Sequence, residues 1–241
     1  MSFKTVLFDL GGTLINYENH SWDELGRMGC RNAHKLLEGV ANDSITPERL
    51  WEDFHNAIDQ MFNDHRDDLK EIDLYEVTAN ILANLGITSS DGLSKRFLEA
   101  YYRPISAQIN LIPGAAEMLA RLKIQGLKIG LISNTIFPAE YHRAEMREFG
   151  ILRFFDFTLF SSEFGVRKPH RDIFLKALEL AGTKPQDAVF VGDRLVEDVG
   201  GPQEIGIRGI LKHMEDRDYT APVEPYKTIH MLEELDKIIM D

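Results

Sequence analysis

The chain has a single cysteine, Cys30, among its 241 residues. An intramolecular disulfide is therefore impossible, and a reducing cytoplasmic compartment is the simplest fit. Cys30 lies in a helical stretch, residues 22–37, and reads as a small buried hydrophobe rather than a reactive thiol. Basic residues are outnumbered: 27 lysines and arginines stand against 39 aspartates and glutamates, for a net charge of −12. That balance argues against nonspecific nucleic-acid binding, which depends on clustered cations near phosphates. It also means that an anionic substrate needs a local attraction, such as a metal ion or a placed lysine. No apolar run approaches the ~20 residues of a membrane span. The opening Met-Ser-Phe-Lys enters an apolar strand almost at once, leaving no room for a signal peptide.

What is present is an alternation of strands and helices. Residues 5–8 form a short apolar strand ended by Gly11-Gly12. After Ile112 the pattern predicts strands at 128–132, 155–160, 188–191 and 207–211, with a last one after residue 227. Helices are expected over 113–122, 138–149 and 169–181 and at the C-terminus. Another, over 195–205, is interrupted at Gly200-Gly201-Pro202, and 216–226 reads as a surface loop. Such alternation gives a parallel sheet with helices on both faces. The intervening block differs: Ser21 opens one helix, and Thr46 caps another with Pro47 at its first position. Two more follow, over 74–85 and over 90–102, the latter stopped by Pro104. The chain therefore divides into an α/β core, residues 1–15 and 110–241, and an inserted α-helical cap, residues 16–109.

Four short groups carry chemistry. Asp9 ends the first strand, with the backbone N–H groups of Leu10 and Gly11 in the turn after it and Thr13 beyond. Ser133 and Asn134 end the second strand, where a hydroxyl and a backbone N–H can hold a phosphate oxygen. Lys168 precedes Pro169 at the start of a helix, placed to neutralise a carboxylate and an incoming phosphate together. Asp193 ends another buried strand, and Glu197-Asp198 follows; Asp193 and Asp198 could face a hard cation such as Mg²⁺. Each group also has a plain reading as a turn, a cap or a solvated face. Together they stand at carboxyl ends of strands that share one sheet edge, the edge where open α/β sheets bind ligands. A nucleophile, an anion-binding hydroxyl, a lysine and a paired-carboxylate metal site are what phosphoryl transfer requires.

With these motifs in this order, the chain resembles the haloacid dehalogenase superfamily. Phe8-Asp9-Leu10-Gly11-Gly12-Thr13 is similar to the family's first motif, Ile132-Ser133-Asn134 to the second, Gly165-Val166-Arg167-Lys168-Pro169 to the third, and Gly192-Asp193 with Glu197-Asp198 to the fourth. The resemblance implies a Rossmann-like core and a mobile cap over a small phosphate ester. It implies that Asp9 forms an aspartyl-phosphate and that Thr13 orients Asp9. Mg²⁺ would be held by Asp9, the Gly11 carbonyl, Asp193 and Asp198. Ser133, the Asn134 amide and Lys168 would hold the phosphoryl oxygens and balance their charge.

Gly11 departs from the family pattern. Most phosphatases of this family carry aspartate there, as acid for the leaving group and base for the water. The expectation is weakened hydrolysis of alkyl phosphates, with aryl and acyl phosphates suffering less. Two alternatives stay open: a binding or regulatory protein that keeps the fold without turnover, and a 2-haloacid dehalogenase using the same aspartate on carbon. Substrate choice lies in the cap.

Overall fold

The computed structural model describes residues 3–17, 20–38, 45–87, 92–215 and 217–240. The chain forms two compact units. The first comprises Met1–Asn16, Leu69–Glu71 and Asn110–Asp241, and the second Tyr17–Asp68 and Ile72–Ile109. The short segment Leu69–Glu71, inside the stretch that the sequence assigns to the cap, thus belongs to the first unit.

The first unit is built on strands β1 (Thr5–Phe8), β2 (Ile15–Asn16), β3 (Asn110–Leu111), β4 (Lys128–Ser133), β5 (Phe157–Phe160), β6 (Ala188–Gly192), β7 (Arg208–Lys212) and β8 (Lys227–Ile229). Six of them form one sheet in the order β5-β4-β1-β6-β7-β8. Every pairing in it is parallel, with Phe8 of β1 level with Leu131 of β4 and Val191 of β6. β1 is fully buried because both its neighbours and both its faces are covered; Val6, Leu7 and Phe8 are wholly inaccessible. Helix Arg171–Ala181 lays Ile173, Phe174, Ala177 and Leu178 against Leu7, Ile132 and Phe190 of the sheet. β2 and β3 pair antiparallel as a two-residue ribbon that the sequence pattern does not reveal.

Several boundaries differ from the expectations. The helix expected at Pro113 begins at Ala115, because Gly114 takes a left-handed conformation (φ 79°) ahead of it. β5 begins at Phe157 rather than Phe155, whose N–H closes a tight turn on Leu152. Gly200-Gly201-Pro202 does not interrupt the helix. A π-helical turn, Leu195–Gly200, runs into the α-turn Gly201–Glu204, and Asp198 within it is buried. Asp216, at the start of the expected loop, lies outside the described residues.

The second unit is helical: Trp22–His34, Pro47–Asp64, Leu74–Asn84 and Leu93–Ser106. Ser21 and Thr46 cap the first two through their hydroxyls, as their positions predict. Pro104 sits inside the last helix rather than stopping it. It falls in the final turn, where it gives the helix no N–H and is buried together with Ile105. Ser90, the expected start of that helix, lies outside the described residues. Phe54 stacks on Phe97 and Tyr101 at centroid distances of 5.5 and 5.1 Å. Cys30 is buried, and burial pushes its thiol up to about 12. Among the described residues no helix is long and apolar enough to cross a membrane.

Candidate active site

Because β1 lies between β4 and β6, Asp9, Ser133 and Asp193 leave neighbouring strands at one edge. The Asp9 N–H extends the ladder to Val191 O at 2.9 Å. The chain then turns sharply: Leu10 O accepts from Thr13, Leu14 and Ile15 N–H, and Gly12 N–H donates to Ile15 O at 2.8 Å. Leu10 and Gly11 are buried in this turn directly behind Asp9. Gly12 has φ 77°, and a Cβ there would lie 2.6 Å from Asp193 Oδ2. The glycine is therefore required twice, by its backbone and by its neighbour.

Lys168 is the hub. The residue is 3% exposed, and its ammonium donates to Asp9 Oδ1 at 2.7 Å and to Asp198 Oδ1 at 2.6 Å. Burial alone would depress this lysine, but Asp198 and Asp9 outweigh burial and hold it above its ordinary value. Its backbone is fixed by Asn134. Lys168 N–H donates to Asn134 Oδ1 at 2.7 Å, and Asn134 Nδ2 donates to Lys168 O at 2.9 Å. The sequence expects Asn134 to act through its backbone amide, and the side chain is occupied in clamping the lysine. Ser133, at the end of β4, is 5% exposed.

The carboxylates converge. Asp9, Asp193 and Asp198 are buried, with one oxygen of each lying within 4.8 Å of the others. Asp198 Oδ2 accepts the Arg194 N–H at 2.9 Å, and a side chain at Gly192 would collide with the Asp198 carboxylate. Asp193 Oδ2 accepts from Arg217 Nε at 2.7 Å, whereas Oδ1 is buried without a hydrogen-bond partner. Burial pushes the Asp9 carboxyl up to about 7; Lys168 opposes the rise, and Asp198 and Asp193 add to it. Asp193 is raised by burial and by Asp198, against the pull of Arg217. The unpartnered Oδ1 and the oxygen-only donor set fit a hard divalent cation, which would relieve the repulsion among the three carboxylates.

Two features escape the sequence reading. Arg217 comes from a polar loop in which nothing marks it as a partner of Asp193. Thr13, expected to orient Asp9, has its Oγ1 buried with no hydrogen-bond partner, and the hydrogen bond to Asp9 Oδ1 comes from Lys168.

Residues 3–206 match the family described as haloacid dehalogenase-like hydrolase. The chain belongs to this family. Its fold and its hydrolase class follow, as the motifs imply. It is 34% identical over 217 residues to a glyceraldehyde 3-phosphate phosphatase from Methanothermobacter thermautotrophicus, covering 88% of this chain and 86% of that protein. A protein of the same description from Methanopyrus kandleri is 28% identical over 222 residues, covering 89% and 88%. Among solved structures, a HAD phosphatase from Thermococcus onnurineus superposes with a TM-score of 0.65 at 25% identity, covering 98% of this chain and 97% of that one. A 2-haloacid dehalogenase from Pseudomonas syringae gives 0.73 at 22% identity, covering 99% and 98%, a likeness of fold alone.

Proposed function

We propose that this haloacid dehalogenase-like hydrolase is a Mg²⁺-dependent phosphatase of a small phosphorylated metabolite, acting through a phosphoryl group carried on Asp9. The observation that carries the reading is the buried set Asp9, Asp193 and Asp198 around Lys168, with Asp193 Oδ1 unpartnered. Its relatives named glyceraldehyde 3-phosphate phosphatase support the class of reaction and make three-carbon sugar phosphates the first compounds to try.

The Asp9 carboxylate attacks phosphorus, the P–O ester bond breaks, and the leaving alkoxide takes a proton. Water then attacks phosphorus of the aspartyl-phosphate, freeing Asp9 and orthophosphate. Lys168 holds Asp9 Oδ1 and balances charge as the phosphoryl group arrives. Ser133 and the Asn134 amide hold phosphoryl oxygens, alongside the N–H groups of Leu10 and Gly11. Asp9, the Gly11 carbonyl, Asp193 and Asp198 would hold Mg²⁺, which when bound supplies Lewis-acid stabilisation of phosphoryl charge and keeps Asp9 ionised. Gly11 supplies no proton, so the leaving group must find one from substrate or solvent.

The carboxylate set weighs against dehalogenation at carbon, which does not need a metal. Phosphate release from p-nitrophenyl phosphate, acetyl phosphate and triose phosphates, with and without Mg²⁺, tests the reading. Turnover that requires both Mg²⁺ and Asp9 is expected; a folded protein silent on the whole panel would favour a ligand-binding role instead.

A further inference from the structure

Leu69–Glu71 stands far in sequence from every motif residue, yet it belongs to the same compact unit as the site. Leu69 has φ 55°, the one positive φ outside glycine among the described residues. A leucine in the left-handed region is costly and persists where surrounding structure demands it. Here the demand is visible. Arg167 N–H donates to Leu69 O at 2.9 Å, Glu71 N–H donates to Gly165 O at 3.0 Å, and Lys70 forms an antiparallel bridge with Val166. Arg167 Nη1 also donates to Lys70 O at 2.5 Å. The segment thus straps down residues 165–167, immediately before Lys168.

The Glu71 side chain reaches a second loop. Ser161, wholly buried just after β5, donates its hydroxyl to Glu71 Oε2 at 2.5 Å and accepts the Thr135 N–H at 2.8 Å. Thr135 directly follows Ser133 and Asn134. Its Oγ1 accepts from Phe137 N–H at 3.1 Å and lies 2.7 Å from His142 Nε2. The Ser161 hydroxyl has one proton. With Glu71 as acceptor, its oxygen lone pairs face the Thr135 amide. Without Glu71, the proton's other acceptor is Thr135 O, 3.2 Å away, and the lone pairs turn from the amide.

We infer that Glu71 is a positioning residue for phosphoryl transfer, acting through Ser161 and Thr135 on the Ser133–Asn134 turn. The inference rests on the phosphatase reading for its effect on rate, but not for its effect on the loop. Three residues of the inserted block therefore brace both loops that meet the phosphoryl group, the one bearing Ser133 and the one bearing Lys168.

The test compares Glu71→Ala and Glu71→Gln with the parent in two readouts: kcat and amide exchange of Thr135. Glu71→Ala should lose roughly tenfold or more in kcat, the scale of a misplaced reacting group, and Thr135 exchange should accelerate by a similar factor. Glu71→Gln, whose amide oxygen can accept from Ser161, should restore both to within about threefold of the parent, since an acceptor at that place is what the geometry needs. Ser161→Ala breaks the same link from its other end and should match Glu71→Ala; it decides the matter if Glu71→Ala does not fold. Unchanged kcat in the alanine variants, or a glutamine variant as impaired as alanine, overturns the positioning role. If the parent releases no phosphate from any substrate, the phosphatase reading fails. Thr135 exchange alone then decides this inference: acceleration in Glu71→Ala supports it, and parental protection overturns it.

Discussion

The side chain of Asn134 holds both backbone polar groups of Lys168, accepting from its N–H at 2.7 Å and donating to its carbonyl at 2.9 Å. The residue after Ser133 thereby fixes the lysine that bonds to Asp9. Asn134→Ala would free that backbone. It is expected to lower kcat by about 10²-fold, as a displacement near 1 Å does when it reaches the reacting groups. Steady-state kinetics checks this, with circular dichroism confirming that the variant is folded.

Gly12 carries a second constraint. Its φ of 77° and the 2.6 Å from a built Cβ to Asp193 Oδ2 mean that Gly12→Ala must either shift the turn or push Asp193 away. The backbone penalty alone is about 1–2 kcal/mol. A lowered melting temperature together with weaker Mg²⁺ binding in a calorimetric titration is expected.

The raised Asp9 carboxyl sets a pH dependence for the metal-free protein. Its folded value is about 7 against an ordinary 3.8 when unfolded. Between those values the folded chain holds a proton that the unfolded chain has released. The contribution of Asp9 to stability is therefore fully present below about pH 3.8 and is lost as pH rises through about 7. Asp9→Asn removes the penalty. Urea midpoints measured in chelator should favour the variant over the parent at about pH 8, with the difference shrinking toward about pH 4. A constant difference would contradict the assignment.

On the proposed mechanism, Gly11 offers the leaving group no acid. Gly11→Asp is expected to raise kcat/KM on alkyl phosphates, toward the ~10²–10⁴-fold that general acid–base catalysis supplies, with a smaller gain on p-nitrophenyl phosphate. An unchanged alkyl rate would assign the proton to another group.

Much of this was legible in the chain because short buried strands advertise themselves. Val6-Leu7-Phe8 and Val189-Phe190-Val191 are apolar runs closed by a carboxylate, and parallel pairing brings their ends together. Other features were not legible for physical reasons. The β2–β3 ribbon is two residues on each side, too short to show alternation. Asp198 is buried within a π-turn, whose winding leaves no mark in residue spacing. Leu69–Glu71 and Arg217 act through backbone pairing and long-range contact from polar segments, where composition predicts only loop. Pro104 misled because it is buried within the helix's final turn, where the rule that proline ends a helix predicts a stop.

The central claim is that Asp9 accepts the phosphoryl group. The most direct measurement is an acid quench of the protein mixed with acetyl phosphate and Mg²⁺, followed by mass spectrometry of the peptide that contains Asp9. The account predicts a base-labile phosphoryl group on Asp9, absent from Asp9→Asn and absent when the metal is chelated. Turnover by the parent with no label on that peptide, or an Asp9→Asn variant that still turns over, would contradict it.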